Sequence, residues 1–324
     1  GYENLPVETL SAELPIIASP ENKGELKELR DMLIARGYSE AITYSFVDPS
    51  IQSQIMPKVI PVPVINPISS DMSVMRTTLL AGLLPALRHN LNRQQERIHI
   101  FEAGLVFTSN GKNFDQELMI SGAISGHRMV DNLHSNKELV DFFDIKGDVE
   151  SLLKFYGSFD KFNFVKDTNI YLHTGQSARV VRNGKTIGWL GQIHPLIQKN
   201  LGLTQSVFTF ELKLESILKR EIPKFLGLSK FPEIKRDLSF IVSDDIYADD
   251  LCETAYKKAG KILIDIKILD VYQGKGIEIS SKSISLGLTF RDSSRTLEDI
   301  EVNKAISSIV EAIKKEYLGI LRGQ

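Results

Sequence analysis

The last third of the chain has the clearest periodicity. Residues 282–291 alternate strictly between apolar and polar side chains, which predicts a half-buried β-strand. Its buried side chains are expected to be Ile284, Leu286, Leu288 and Phe290. Residues 302–317 repeat at helical spacing instead, which predicts an amphipathic helix. The side of that helix facing the core would consist of Val302, Ile306, Ile309, Val310, Ile313 and Tyr317.

Three more strands and one more helix complete this region. The pattern predicts strands over 236–242, 262–268 and 320–322, and a helix over 248–259. The order β-α-β-β-α-β is that of a ferredoxin-like unit, one sheet with both helices on one face. We expect Thr296 to cap the last helix, with Asp299 completing a capping box. The core side of the second strand would carry Ile262, Ile264, Ile266 and Ile268.

The other face of this sheet is predicted to be open and to carry small polar side chains. Such a face can bind RNA, with aromatic rings as stacking platforms and arginines on phosphates, or it can be an ordinary solvated surface. Tyr272 is the best aromatic candidate. The small and polar positions are Ser239, Lys267, Ser283, Ser285, Gly287, Thr289 and Arg291, and further cations are Lys235, Arg236, Lys282, Arg295 and Arg322.

The first two thirds of the chain mix helices and strands. After a lead-in over 11–20, helices are predicted from Pro20–Glu21 to Gly37, over 73–92 with a break or kink at Pro85, and over 141–156. Strands are predicted over 40–47, 97–107, 118–125, 163–165, 177–182, 187–193 and 207–214, with an edge strand or extended segment over 59–65. Residues 223–232 read as a linker, so we expect domains over 1–226 and 227–324.

Composition and charge narrow the class of protein. The chain has 324 residues, 42% apolar and 25% charged, as in globular proteins, and a formal net charge of −2. A single cysteine excludes an internal disulfide framework, and no apolar run approaches the length of a membrane span. The charge balance limits any nucleic-acid contact to a local patch. Because the chain begins with Gly1 rather than Met, we expect it to be a fragment.

The sequence contains few candidates for catalytic or metal-binding groups. Asp141, Asp144, Asp148 and Glu150 could bind Mg²⁺, but acidic side chains at a helix start more often cap the helix. No two histidines have the spacing of a helical zinc site, and there is no dinucleotide fingerprint, phosphate loop or nucleophile elbow. The sequence therefore predicts neither a metal site nor catalytic residues of its own.

A series of short motifs runs along nearly the whole chain. They include GY at 37–38 with ITYSF at 42–46, NPIS at 66–69, MRTTLL at 75–80 and IFEAG at 100–104. DFFDIKGDVE at 141–150, LHTGQS at 172–177, GWLGQIHP at 188–195, FP at 231–232, RDL at 236–238, DVY at 270–272 and RTL at 295–297 continue the series. In this order and spacing they resemble the C-terminal half of the bacterial phenylalanyl-tRNA synthetase beta subunit.

The resemblance implies an α+β architecture. A class II synthetase-like antiparallel sheet core with flanking helices would precede a ferredoxin-like βαββαβ anticodon-binding domain. Residues 98–107 would lie where motif two of a class II core lies, and residues 188–218 where motif three lies. The arginines with which active class II cores bind ATP are missing there, so the core is expected to be inactive.

The resemblance also implies a role in a larger enzyme. Family contacts to the tRNA anticodon would fall on Ser239, Tyr272, Ser283 and Arg322, with Arg236 and Arg291 as further candidates. The expected partners are the alpha subunit, phenylalanine tRNA and a second beta subunit, in a cytoplasmic tetramer without membrane contact. The fragment would bind no cofactor itself, whereas the whole enzyme would use ATP and Mg²⁺. Editing and metal sites would lie upstream.

Two other interpretations remain open from the residues alone. One is a self-contained enzyme or regulatory protein whose ferredoxin-like domain senses a small molecule and does not bind tRNA. The other is a purely structural interaction protein, which would account for the core but not for the open sheet face.

Overall fold

The computed structural model describes residues 1–6, 21, 23–109, 114–133, 137–156, 161–220, 222, 225, 227 and 229–322. It divides the chain into two compact units, Gly1–Pro223 and Lys224–Gln324. The predicted boundary between 226 and 227 stays a prediction, because residues 226 and 228 lie outside the described part. The predicted lead-in over 11–20 lies outside it as well.

The first unit is built on a seven-stranded sheet. Its strands are β1 Ser39–Glu40, β4 Arg97–Ser109, β5 Phe114–Gly126, β6 Phe162–Lys166, β7 Leu172–Arg182, β8 Lys185–Ile193 and β9 Val207–Lys213. They lie in the order β1-β4-β5-β9-β8-β7-β6, antiparallel except for the parallel pair β1–β4. β2 Phe46–Val47 and β3 Val74–Met75 form a separate two-stranded sheet. Asn183 and Gly184 join β7 to β8, and their positive φ values, 49° and 77°, are those of a type I′ hairpin turn.

Helices cover both faces of the large sheet. They are α1 Leu26–Ala35, α2 Pro49–Ile55, α3 Leu80–Leu91, α4 Phe142–Lys154, α5 Pro195–Asn200 and α6 Leu214–Leu218. α1, α4 and α6 pack with Phe101 and Phe210 in one core, whereas α2, α3 and α5 pack with Ile98 and Trp189 in the other. The sheet core with flanking helices is therefore confirmed.

The second unit has the predicted ferredoxin-like order. The elements are β10 Ile234–Ser243, α7 Ala248–Ala259, β11 Leu263–Tyr272, β12 Ser281–Phe290, α8 Asp299–Tyr317 and β13 Ile320–Leu321. The strands form one antiparallel sheet in the order β11-β12-β10-β13. As predicted, Ile284, Leu286, Leu288 and Phe290 are buried, and the side of α8 that was expected to face the core packs against them.

Two segments of the first unit differ from prediction. The strand expected over 40–47 is interrupted at 41–45, where the backbone N–H and hydroxyl of Thr43 both donate to the Glu102 carboxylate. The helix expected over 73–92 begins only at Leu80, because residues 76–78 are held by buried side-chain hydrogen bonds. Of the break or kink expected at Pro85, the break is absent, because the helix continues through this residue to Leu91. Residues 59–65 form one isolated bridge, between Pro63 and Val74, and otherwise stay outside the strands.

Two details of the second unit also differ. Glu298 and Glu301, rather than Thr296 and Asp299, form the capping box of α8. In β11 the register shifts twice, between Leu263 and Asp265 and again between Ile268 and Asp270. Leu263 is the buried side chain of this strand, whereas Ile264 and Ile268 are exposed.

Candidate nucleic-acid interface and buried polar groups

Two adjacent rows cross the open face of the second sheet. Strand pairing puts Arg322, Ser239 and Ser285 side by side in one row, since the Arg322 N–H donates to the Ser239 carbonyl at 2.8 Å. The next row consists of Ile320, Ile241, Ser283 and Tyr272. The structure thus brings the four predicted anticodon contacts, Ser239, Tyr272, Ser283 and Arg322, onto one patch.

These four side chains differ in accessibility. Arg322 is exposed and Tyr272 is 38% exposed, with its hydroxyl donating to the Lys275 carbonyl at 3.2 Å. Ser239 exchanges a 2.8 Å hydrogen bond with Ser285. Ser283 is only 2% exposed, with Ile241 and Tyr272 as its cross-strand neighbours on the same face. A partner laid on this face therefore meets the Tyr272 ring before the Ser283 hydroxyl.

Leu269 is a feature of this face that the periodicity missed. It is the extra residue of the second register shift in β11, and its side chain lies over Gly287. A Cβ added at Gly287 would be 3.2 Å from Leu269 Cδ1. The backbone at Gly287, expected to be open to a flat partner, is therefore covered by a half-exposed aliphatic side chain.

Arg236 and Arg291 each have a carboxylate partner. Arg236 Nη2 lies 2.8 Å from Asp299, on the helix side of the sheet, and Arg291 Nη1 lies 2.8 Å from Glu233. A phosphate would have to compete with these carboxylates. Their predicted contacts to RNA stay predictions.

The acidic cluster of α4 is used internally. The Asp141 carboxylate accepts from the N–H groups of Phe143 and Asp144, and the Asp144 side chain accepts from the Asp141 N–H. Asp148 accepts from the Tyr38 hydroxyl and from Arg36 Nε, each at 2.6 Å. The capping interpretation is confirmed for the first two. Across the described residues, no group of three or more His, Cys, Asp or Glu could hold a metal ion.

A buried ion pair joins three segments of the first unit. Arg76 Nη1 lies 2.7 Å from Glu102 Oε1 in β4, and both side chains are almost fully buried. Thr43 accepts a 3.1 Å hydrogen bond from Arg76 and donates one of 2.7 Å to Glu102. The arginine also donates to the Leu105 carbonyl. We refer to Thr43, Arg76 and Glu102 as the buried ion-pair cluster.

Glu211 forms a second buried contact, between β9 and the start of α3. Its carboxylate accepts from the Thr78 hydroxyl at 2.7 Å and from the Leu79 N–H at 3.0 Å. Burial raises the pKa of Glu211 to about 7, although both donors and the Arg76 charge act in the opposite direction. The carboxyl is thus held at the interface between the sheet and α3.

The comparisons with known proteins agree with this arrangement. The molecule is a two-unit α+β protein, an antiparallel sheet core followed by a ferredoxin-like unit. Residues 5–214 match the family model described as phenylalanyl tRNA synthetase beta chain CLM domain, and residues 229–322 match the ferredoxin-fold anticodon binding domain. The chain belongs to the phenylalanyl-tRNA synthetase beta chain family.

Curated relatives carry the name phenylalanine–tRNA ligase beta subunit. Those of Pseudomonas fluorescens Pf-5 and Pseudomonas syringae pv. tomato are 44% and 45% identical to this chain over 322 residues. The protein of Hahella chejuensis is 40% identical. Each match covers 99% of this chain, which spans about two fifths of the relatives' length, 40–41%. A solved pyrrolysyl tRNA synthetase from Desulfitobacterium hafniense has a TM-score of 0.44 at 13% identity, over 60% of this chain and 68% of its own.

The raised pKa of Glu211 predicts a pH dependence of stability. Between pH 4.5 and 7 the Glu211 carboxyl is ionised in the unfolded chain but protonated in the folded one. Its contribution to the free energy of unfolding is therefore complete at low pH and is lost as pH rises towards 7. The stability of the wild type relative to Glu211→Gln, which keeps the acceptor but cannot ionise, should fall by about 3 kcal/mol over this window. Urea unfolding followed by the fluorescence of Trp189, the single tryptophan, measures this difference.

In the difference between the wild type and Glu211→Gln, the effects of other titrating groups on the free energy of unfolding cancel. His99, whose pKa is lowered to about 3 by burial and by Arg97, destabilises both proteins alike as pH falls below 6.5. The exposed Glu215 provides the matched control, and Glu215→Gln should follow the wild-type curve. Parallel curves for the wild type and Glu211→Gln would show that Glu211 does not titrate in this range.

Proposed function

We propose that the chain is the part of a phenylalanine–tRNA ligase beta subunit that combines an inactive synthetase-like scaffold with a tRNA anticodon-binding domain. The observation that carries the proposal is the open sheet face on which Ser239, Arg322 and Tyr272 lie together. The match of residues 229–322 to an anticodon-binding model favours RNA over a small effector for this unit. The whole enzyme would join phenylalanine to its tRNA in the cytoplasm, as a tetramer of two alpha and two beta chains.

The RNA contact would be a small one. The exposed Tyr272 ring offers a surface on which a base can stack, and the aliphatic Ile241 and Leu269 extend that surface. Arg322, at the edge of the same patch, can approach a base or a phosphate. With a net charge of −2, few phosphates would be neutralised, so the salt dependence of binding should be shallow.

Catalysis would belong to the alpha subunit. In this chain β4 and β9 carry the buried carboxylates of Glu102 and Glu211, and Arg76 is already paired with Glu102. Because Arg76 is already used by Glu102 and Thr43, it is not available to stabilise the charge of a triphosphate, so this arrangement does not fit ATP. Among the described residues, no helix combines the length and apolarity needed to cross a membrane.

Exposed apolar side chains indicate where a partner subunit would bind. Leu29 and Leu33 of α1 are fully buried in the chain's own core, and Ile34 is the one large apolar side chain that this helix exposes, at 52%. The loop after β1 differs, with Ile42 92% and Tyr44 67% exposed. Near β3 in sequence, Ile60, Ile65 and Ile68 are exposed as well. Exposed apolar side chains that form one patch mark protein–protein interfaces, and we propose that these residues form such a patch.

The anticodon proposal predicts a loss of tRNA affinity on Tyr272→Ala. Because a stacked base is worth about 1–3 kcal/mol, KM for tRNA in aminoacylation by the full heterotetramer should rise by roughly five- to hundred-fold. Arg322→Ala should also raise it. Tyr272→Phe, which keeps the ring, and Tyr256→Ala, on α7, should leave it unchanged. If neither alanine variant of the patch changes KM for tRNA, these residues do not bind the anticodon.

The scaffold proposal predicts no amino-acid activation by this chain alone. Pyrophosphate exchange with phenylalanine and ATP should stay at the level of a blank, because the arginines with which active class II cores bind ATP are missing and the buried Arg76 is already paired with Glu102. The heterotetramer serves as the positive control. Exchange by a preparation free of alpha subunit would contradict the proposal.

The interface proposal predicts that Ile42→Asp weakens assembly with the alpha subunit. A desolvated charge replaces an apolar contact, which should lower the amount of complex at least about tenfold. Sedimentation velocity of the mixed subunits measures the complex. Ile279→Asp, at a position 98% exposed in the second unit, is the matched control. Equal assembly of both variants would place the interface elsewhere.

A further inference from the structure

A cleft with a volume of about 290 Å³ opens between the end of α1, the start of β4 and the first half of α4. Three arginines line it, Arg36, Arg97 and Arg128, together with His99. None of these groups takes part in the proposed tRNA contact or in the buried ion-pair cluster. The volume is at the lower end of the range for small-molecule sites, roughly 300–1,000 Å³.

Two of the three arginines are neutralised within the chain. Arg36 Nε lies 2.6 Å from the Asp148 carboxylate. Arg128 lies 2.5 Å from Glu138 and 2.8 Å from Asp144, with Asp141 at 3.4 Å. These charges hold the walls of the cleft in place and leave neither guanidinium free for a ligand.

Arg97 is different, because no carboxylate in the described part of the chain pairs with it. Its hydrogen bonds go to the carbonyl oxygens of Gly37 and Arg128, at 3.2 and 3.4 Å, and to His99 Nδ1 at 3.2 Å. Burial lowers the pKa of Arg97, while the nearby Tyr38 and Asp148 act in the opposite direction, and the guanidinium stays charged. Arg97 thus feels the charge of Asp148 but forms no ion pair with it, and its three hydrogen bonds to neutral partners leave guanidinium N–H donors unused.

His99 adds no compensating charge. Burial and the adjacent Arg97 lower its pKa to about 3, so the ring is neutral near physiological pH. A guanidinium only donates, so Nδ1 accepts from Arg97 and the ring proton lies on Nε2, which has no hydrogen-bond partner in the structure. His99 thus orients the arginine without neutralising it.

Asp144 and Asp148, the partners of Arg128 and Arg36, line the cleft as well, and the rest of its walls are apolar or open. Met129 and Phe143 line the cleft and are both more than half exposed, and Val140 lies beside them. A Cβ added at Gly147, in the middle of α4, would meet no atom within 4 Å. Space, one free cation and an apolar rim therefore occur together.

We propose that this cleft binds a small organic anion, with its carboxylate or phosphate group on Arg97 and its apolar part against Met129 and Phe143. The Arg97 guanidinium, which has no ion-pair partner among the described residues, favours an anion, and its planar shape suits a group with two oxygens. The exposed ring and thioether favour a hydrocarbon or aromatic body over a bare inorganic ion. The proposal is independent of tRNA binding and of subunit assembly.

Benzoate, phenyl phosphate and inorganic phosphate are the probes, titrated into the full 324-residue chain at constant ionic strength. Calorimetry gives the affinity, and the NMR shift of the His99 ring protons shows whether the probe reaches the cleft. We expect saturable binding of benzoate or phenyl phosphate in the millimolar range, tighter than that of inorganic phosphate. The preferred headgroup distinguishes a carboxylate from a phosphate ligand.

Two variants test the site in different ways. Arg97→Gln removes the charge and should weaken binding about ten- to hundred-fold. Gly147→Leu fills the open space without touching Arg97, and since leucine favours a helix more than glycine, the fold should be retained. It should abolish binding, whereas Gly147→Ala should preserve it. Arg93→Gln, at an exposed arginine outside the cleft, is the charge control.

Three outcomes would overturn the proposal. One is the absence of saturable binding by all three probes. Another is binding by Arg97→Gln and by Gly147→Leu that is as tight as binding by the wild type, which would indicate non-specific association. The third is binding that leaves the His99 resonances unchanged, which would put the anion elsewhere on the chain.

Discussion

The buried ion-pair cluster connects more of the first unit than any other polar contact described. Arg76 and Glu102 lie in different segments, and Thr43 joins both to the loop after β1. Removing one partner of such a pair costs about 3–5 kcal/mol, because the other charge is left unpaired in the interior. Two glycines make room for it. A Cβ at Gly104 would be 2.4 Å from Arg76 Nη2, and one at Gly82 would be 2.0 Å from the Thr43 hydroxyl.

Regular elements were predictable where local pattern and tertiary packing agree. β12 alternates because one of its faces packs on the helices, and α8 shows its core side as a simple repeat. The segment 40–47 was not predictable, because its β-propensity is overridden by hydrogen bonds to Glu102, 59 residues away from Thr43. The bulge in β11 was hidden for a related reason. An inserted residue shifts the facing of its neighbours, and a run of isoleucines does not show where the insertion lies.

The candidate sites were predictable to different degrees. Alternation alone placed Ser239 and Ser283 on the open face, because strand facing follows from sequence parity. The burial of Ser283 did not follow, since it depends on the side chains that strand pairing puts beside it, Ile241 and Tyr272. The cleft around Arg97 left no local signal. Its cations come from three separate segments, and whether each has a carboxylate partner is decided only by the fold.

The two register shifts in β11 have a further consequence for the protein in solution. This strand is ten residues long and lies at the edge of its sheet, with Ile264, Ile268 and Val271 exposed. A straight edge of this kind can template pairing with another chain and so start aggregation. The shifts interrupt the even spacing of backbone donors and acceptors that an incoming strand would need, and Lys267 adds a charge midway. The insertion that lays Leu269 over Gly287 therefore also hinders edge-to-edge joining of two molecules.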